Sequence, residues 1–280
     1  MSRHATAALA IALAACGASP APEPPIDATV EAHSEPAPRP RAPRRARLEG
    51  PVDTSEVVGK GPFPASTNAG LLDPAFATAT APPEFRVLFR TSAGNFAVDC
   101  HRDWAPIGAD RFYNLVQLGF YDDVAFFRVA RTPQPFVAQF GIHGDPRVSA
   151  AWKDARLPAD PVVHSNARGT LTFAMAGKAD TRTTQLFLNL TDNERLDALG
   201  FAPVCAVADH GMDAVDKLYG GYGESPTREQ VEMMAKGNDY LRATYPDLDY
   251  IATARVVPIP VPASAPPPAA STAPTATVAP

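Results

Sequence analysis

Between residues 84 and 257 apolar and polar positions alternate in short runs. Residues 85–90, Phe-Arg-Val-Leu-Phe-Arg, alternate imperfectly and predict a strand. Thr91-Ser92-Ala93-Gly94 reads as a turn, and the clean alternation of 95–100 beyond it predicts a hairpin. A helix starts near Asp103, with Pro106 close to its first position. Phe112, Leu115 and Val116 then recur at i, i+3 and i+4, and Gly119 ends the helix. Further short strands are predicted at 125–130, 136–140, 170–175, 185–190, 204–208 and 248–257, with a short helix at 212–219. Thr227-Arg228-Glu229-Gln230 reads as a capping box. Val231, Met234, Ala235, Asn238 and Leu241 follow on one helical face, which Gly237 weakens. Strands spaced this way, with two or three helices, predict a closed antiparallel barrel.

Proline use divides the chain. Of the 31 prolines, fourteen fall in residues 17–83, eight in 258–280 and nine in the 174 residues between. The expected organisation is therefore a leader at 1–16, a disordered Pro/Ala-rich linker at 17–83, one domain at 84–257 and a disordered tail at 258–280. A domain of that length buries roughly 70% of its unfolded surface, enough to fold without staples. The Pro/Ala/Ser/Thr segments lack the apolar surface to offset their ordering entropy. The leader carries Arg3 and His4, then an Ala/Leu/Ile run too short to span a bilayer. It closes in Leu13-Ala14-Ala15-Cys16, which resembles the lipobox of bacterial lipoproteins. That resemblance implies acylation of Cys16 and anchorage to a lipid bilayer in the cell envelope. Gly17, where an Asp would argue for inner-membrane retention, points towards the periplasmic side of the outer membrane. Arg39, Arg41, Arg44, Arg45 and Arg47 form a basic cluster in the linker, read first as a solvated charge run and second as a contact for anionic polymer or lipid.

A net charge of -5 argues against a dedicated nucleic-acid binder. With Cys16 assigned to the leader, Cys100 and Cys205 remain. An exported protein can oxidise them, so a disulfide and two separately buried thiols are both open. No Cys-x-x-Cys occurs, and His101, His143, His164 and His210 show no metal-ligand spacing, so they read as scattered surface residues. No Gly-x-Ser-x-Gly elbow or phosphate-cradling loop occurs.

Three segments, taken in order, resemble the cyclophilin family. The first is Phe126-Phe127-Arg128-Val129 followed by Pro135-Phe136-Val137-Ala138-Gln139-Phe140-Gly141. The second is Gly169-Thr170-Leu171-Thr172-Phe173-Ala174-Met175-Ala176. The third is Thr184-Gln185-Leu186-Phe187-Leu188, with Leu196-Asp197 and Gly211-Met212-Asp213-Ala214-Val215 downstream. The resemblance implies an eight-stranded antiparallel barrel capped by two helices. It also implies peptidyl-prolyl cis–trans isomerisation without a cofactor or metal, on proline-containing peptides or unfolded exported proteins. By position, Arg128 matches the catalytic arginine and Gln139 the residue that orients it. Phe136, Val137, Phe187 and Leu196 match the proline pocket, while Ala174 and Gln185 line the peptide groove. Met175 stands where the family has Asn, and Phe201 fills the wall where a histidine is usual. Arg195 stands where an indole often binds cyclosporin. The loop from Val129 to Pro135 is longer than the common form, so Phe136 and Gln139 are matched across a bulge. A second reading keeps the fold and groove in a catalytically weak peptide-binding module, a holdase or envelope interaction protein.

Overall fold

The computed structural model describes residues 56–259. Cys16, the leader, the arginines between 39 and 47 and most of the C-terminal tail lie outside the described residues.

The predicted hairpin is β1 (Glu84–Thr91) and β2 (Phe96–His101), paired from Glu84↔His101 to Phe89↔Phe96. Phe85, Val87 and Phe89 point to one side of β1 and are buried in the core. Arg86, on the other side, meets its cross-strand partner Asp99 at 2.6 Å. The next strands are β3 (Val124–Ala125), β4 (Arg128–Val129), β5 (Val137–Phe140) and β6 (Thr170–Phe173). β7 (Leu186–Asn189), β8 (Pro203–Val207) and β9 (Tyr250–Val257) complete one antiparallel sheet in the order β3-β9-β1-β2-β8-β6-β7-β5-β4. The sheet curls around a core in which Phe89 stacks on Phe96 at 4.8 Å and Phe140 meets Phe89, Tyr121 and Phe126 edge-on. Cys100 and Cys205 are direct register partners on β2 and β8, both fully buried, and form a disulfide.

Helix α1 (Pro106–Leu118) buries Phe112, Leu115 and Val116, the predicted stripe, and ends at Gly119 in the left-handed region with φ 73°. Its first amides have no partners within the helix, as at any helix start. Asp160 supplies them from a distance: the Ile107 and Gly108 N–H groups donate to its carboxylate at 2.9 and 2.8 Å. Arg182 neutralises the same carboxylate at 3.0 Å, with both side chains almost completely buried.

Several expectations are corrected. The sheet is mainly β and curled as expected, but no ladder joins its end strands, so it is a half-barrel rather than a barrel closed by hydrogen bonds. Those end strands are two pieces of the single run expected at 125–130, interrupted at Phe126 and Phe127, and both of these rings are buried. Four α-helices occur among the described residues, where the pattern of the chain predicts two or three. Helix α2 (Pro146–Trp152) was missed, although Asp145 caps it by accepting from the Arg147 N–H and Pro146 opens it. Helix α3 (Met212–Val215) is shorter than predicted. Helix α4 (Gln230–Thr244) carries a break at Gly237, with φ 64° and ψ -150°. The break rotates the buried face to Met233, Gly237 and Leu241 and leaves Val231 exposed. The capping box does not form: α4 has no side-chain cap, because Thr227 and Gln230 bond elsewhere. His143 is buried, not a surface residue. Packing also begins ahead of residue 84. Leu71 is buried in the main core, its carbonyl accepts from the Trp152 indole at 2.8 Å, and Ala81 is buried in the same core.

Candidate active site

The half-barrel's β4 edge builds the site. Antiparallel pairing of β4 with β5 sets Arg128 directly opposite Gln139. The Arg128 Nη1 donates to Gln139 Oε1 at 3.0 Å. Gln139 in turn lies opposite Phe187 of β7, and its Nε2 donates to Gln185 Oε1 at 2.9 Å. The bulged loop keeps the matched register: Ala130 N–H donates to Val137 O and Phe136 N–H to Ala130 O, both at 2.9 Å.

An apolar cup stands beside these polar groups. Val137, Phe187 and Leu196 form a buried cluster of their own, separate from the main core. Phe136, Ala174 and Phe201 pack around it, with Phe187 and Phe201 edge-to-face at 5.6 Å. Asn193 Nδ2 donates to the Phe136 carbonyl at 3.0 Å and fixes that wall. Leu196 arrives on a 3-10 turn, Glu194–Leu199, which Gly200 ends at φ 88°. Two guanidinium groups lie over the Phe136 ring, Arg128 at 5.3 Å and Arg195 at 4.6 Å from its centroid.

The cleft so formed has a volume of about 200 Å³. Arg128, Gln139, Phe136, Val137, Phe187 and Leu196 line it, and so do Ala174, Met175 and Phe201. Of the residues expected at the site only Gln185 lies outside it, in an adjoining hollow of about 240 Å³ that shares Gln139, Ala174 and Met175. The structure therefore brings all ten together along one groove. Sequence reasoning missed three further contributors from residues 224–230, the turn before α4 and its first residue. Thr227 and Gln230 line the cleft, and Glu224 pairs with Arg128 at 2.8 Å. No spacing pattern could have found them, because they reach the site only through the long-range path of the chain. Among the described residues no group of three or more His, Cys, Asp or Glu side chains could hold a metal ion.

A permanently charged guanidinium held beside an apolar cup can act on a bond without any proton changing hands. The family description "Cyclophilin type peptidyl-prolyl cis-trans isomerase/CLD" matches residues 86–237, over half of the 280-residue chain. The chain belongs to the cyclophilin family of peptidyl-prolyl cis–trans isomerases. Among curated relatives, this cyclophilin is 32% identical over 174 residues to peptidyl-prolyl cis-trans isomerase A of Dickeya dadantii, covering 58% of the chain and 88% of that protein. It is 32% identical over 153 residues to a peptidyl-prolyl cis-trans isomerase of Acinetobacter baylyi, covering 53% and 77%. It is 30% identical over 141 residues to peptidyl-prolyl cis-trans isomerase B of Escherichia coli, covering 48% and 84%. A crystal structure of a cyclophilin-type isomerase from Cryptosporidium parvum matches with a TM-score of 0.44 at 17% identity, over 63% of this chain and 99% of that one.

Proposed function

We propose that this cyclophilin isomerises X–Pro bonds of exported proteins in a bacterial cell envelope, with Arg128 as the group that eases the rotation. An X–Pro bond turns over a barrier of about 18–20 kcal/mol set by amide resonance. As the C–N bond twists, the proline nitrogen regains its lone pair. A donor placed there stabilises the twisted form more than the planar one, which is what lowers a barrier. Arg128 is suited to this because its charge is permanent. Gln139 holds Nη1 at 3.0 Å, while Phe136, Val137, Phe187 and Leu196 hold the ring. The observation that carries the reading is this juxtaposition of the Arg128–Gln139 pair with a separate apolar cluster in one cleft.

The envelope location rests on the leader ending at Cys16, which lies outside the described residues, and on the Cys100–Cys205 disulfide, which fits an oxidising compartment. In this reading acylated Cys16 anchors the chain to the bilayer, and labelled palmitate enters the wild type but not Cys16→Ser.

A protease-coupled assay on an Ala-Pro tetrapeptide tests the chemistry. We expect clear acceleration by the wild type and, for Arg128→Ala, a loss of kcat/KM of about a hundredfold, the scale for removing one aimed electrostatic donor. Wild-type turnover at the uncatalysed rate would favour the peptide-binding module instead.

A further inference from the structure

Beyond α3 the chain does not return straight to β9. It turns through residues 220–225, where the Gly223 N–H donates to Gly220 O and the Ser225 N–H to Tyr222 O, each at 3.1 Å. That turn sets Glu224 beside Arg128. One carboxylate oxygen of Glu224, Oε1, accepts from Nε at 3.0 Å and from Nη2 at 2.8 Å. Its other oxygen accepts from the Thr227 hydroxyl at 3.4 Å. On the far side Gln230 accepts from Gln185 Nε2 at 3.0 Å and donates to Thr227 O at 3.3 Å. The contacts close a ring around the cleft: Glu224, Arg128, Gln139, Gln185, Gln230 and Thr227.

This arm is braced from behind. Glu229 accepts from the Tyr240 and Tyr245 hydroxyls, Tyr222 meets Tyr245 edge-on at 5.1 Å, and Met233 is fully buried. Asn238 donates to the Asp123 carbonyl at 2.6 Å. Glu224 therefore approaches Arg128 from a supported turn.

We infer that Glu224 is a positioning residue for Arg128, clamping the guanidinium from the side opposite Gln139. The inference rests on the reading of Arg128 as the donor to the proline nitrogen. An arginine side chain carries about 2 kcal/mol of rotamer entropy, and one partner on Nη1 leaves the plane free to swing. A second partner on Nε and Nη2 fixes it before a client arrives, so no reorganisation is needed during the twist. The clamp does not exhaust the donors. A guanidinium has five N–H groups, and these contacts use one on each nitrogen, leaving one on Nη1 and one on Nη2 for a client. A carboxylate also lowers the local positive potential, which opposes catalysis. Glu224 is half exposed, with 48% of its side chain open to solvent, so water weakens that effect while the geometry persists.

The test uses the full chain with Glu224→Ala and Glu224→Gln in the Ala-Pro tetrapeptide assay, with peptide affinity followed by NMR titration. The Gln side chain keeps an acceptor for Nε and Nη2 but loses the charge. We expect kcat/KM to fall about tenfold in Glu224→Ala, equivalent to ~1.4 kcal/mol of transition-state stabilisation. Glu224→Gln should recover most of the rate, and both variants should bind peptide and melt like the wild type. Glu224→Ala at or above the wild-type rate overturns the inference, and so do two equally slow variants, which would point to charge rather than orientation. Arg128→Ala at the wild-type rate would overturn the reading of Arg128 and this inference together. Glu224→Ala at the wild-type rate, beside a slow Arg128→Ala, overturns this inference alone.

Discussion

Breaking the Cys100–Cys205 bridge should destabilise the domain by a predictable amount. The two cysteines are 105 residues apart, and loop closure over that span removes about 4.8 kcal/mol of chain entropy from the unfolded state at 25 °C. Structure retained by the unfolded chain reduces this, so the expected loss is between about 2 and 5 kcal/mol. The comparison should use one sequence in two redox states, because replacing the cysteines would add a packing defect between β2 and β8. Both residues are fully buried, so reductant reaches the bond only through opening of the strands; the reduced form is best made by unfolding and refolding in dithiothreitol. At a urea slope of about 2 kcal/mol per molar, the midpoint should fall by roughly 1 to 2.5 M. Coincident urea curves for the oxidised and reduced chains would refute the reasoning. That result would mean β2 and β8 hold their register in the unfolded ensemble without a crosslink. The expected result would also give the chain a reason to mature where thiols oxidise.

Asp160→Ala removes the acceptor for two amides of α1 and leaves Arg182 buried without its counter-ion. The expected loss in urea unfolding is about 3–5 kcal/mol, and a loss below about 1 kcal/mol would contradict the role given to this pair. His143 should make stability depend on pH. Burial holds its imidazole below the ordinary value of 6.5 against the opposing pull of Asp145, Asp122 and Asp123. The unfolded chain therefore takes up a proton near pH 6.5 that the native chain refuses. The His143 contribution is fully present above that pH and is lost as pH falls towards the folded value. Urea midpoints should drop between pH 7.5 and 5.5, and His143→Asn, whose amide oxygen can accept the Asp145 N–H in place of Nδ1, should flatten that part of the slope.

The elements carried by local pattern were legible in the sequence. The β1–β2 hairpin follows from alternation around a four-residue turn, and α1 from its apolar stripe between Pro106 and Gly119. Nearly all of the groove was legible too, because short motifs on adjacent strands fall into register: the pairings Arg128↔Gln139 and Gln139↔Phe187 assemble what the motifs imply. Failures came where a distant partner decided the outcome. Thr227 looked like a helix cap by spacing, yet its hydroxyl serves Glu224 and its carbonyl serves Gln230. The stripe through Val231 and Leu241 assumed one continuous helix. A Cβ at Gly237 would press into the Gly144 backbone, and the positive φ there divides the helix and turns its first half. Asp160 lies 53 and 52 residues beyond the two amides it caps, so no window along the chain could reveal it.

The same contrast explains how the site is divided. Of the groups matched by motif, Arg128, Val137, Gln139 and Phe187 sit on paired strands, where hydrogen-bonded ladders fix their spacing, and Phe136, Ala174 and Gln185 directly flank strand ends; the arm's groups sit on a turn and a broken helix, fixed by side chains such as Glu229 and Asn238. Ladder bonds tolerate most side-chain changes, whereas a brace made of side chains fails with single substitutions. The strand half of the groove should therefore vary little with sequence, and the arm is where small changes can adjust how Arg128 is held. Glu224 is one of two points at which the halves touch, through one carboxylate oxygen shared by Nε and Nη2; the other is Gln230, which accepts from Gln185. If orientation of that guanidinium limits the rate, activity should follow the arm's integrity even in variants whose sheet is untouched.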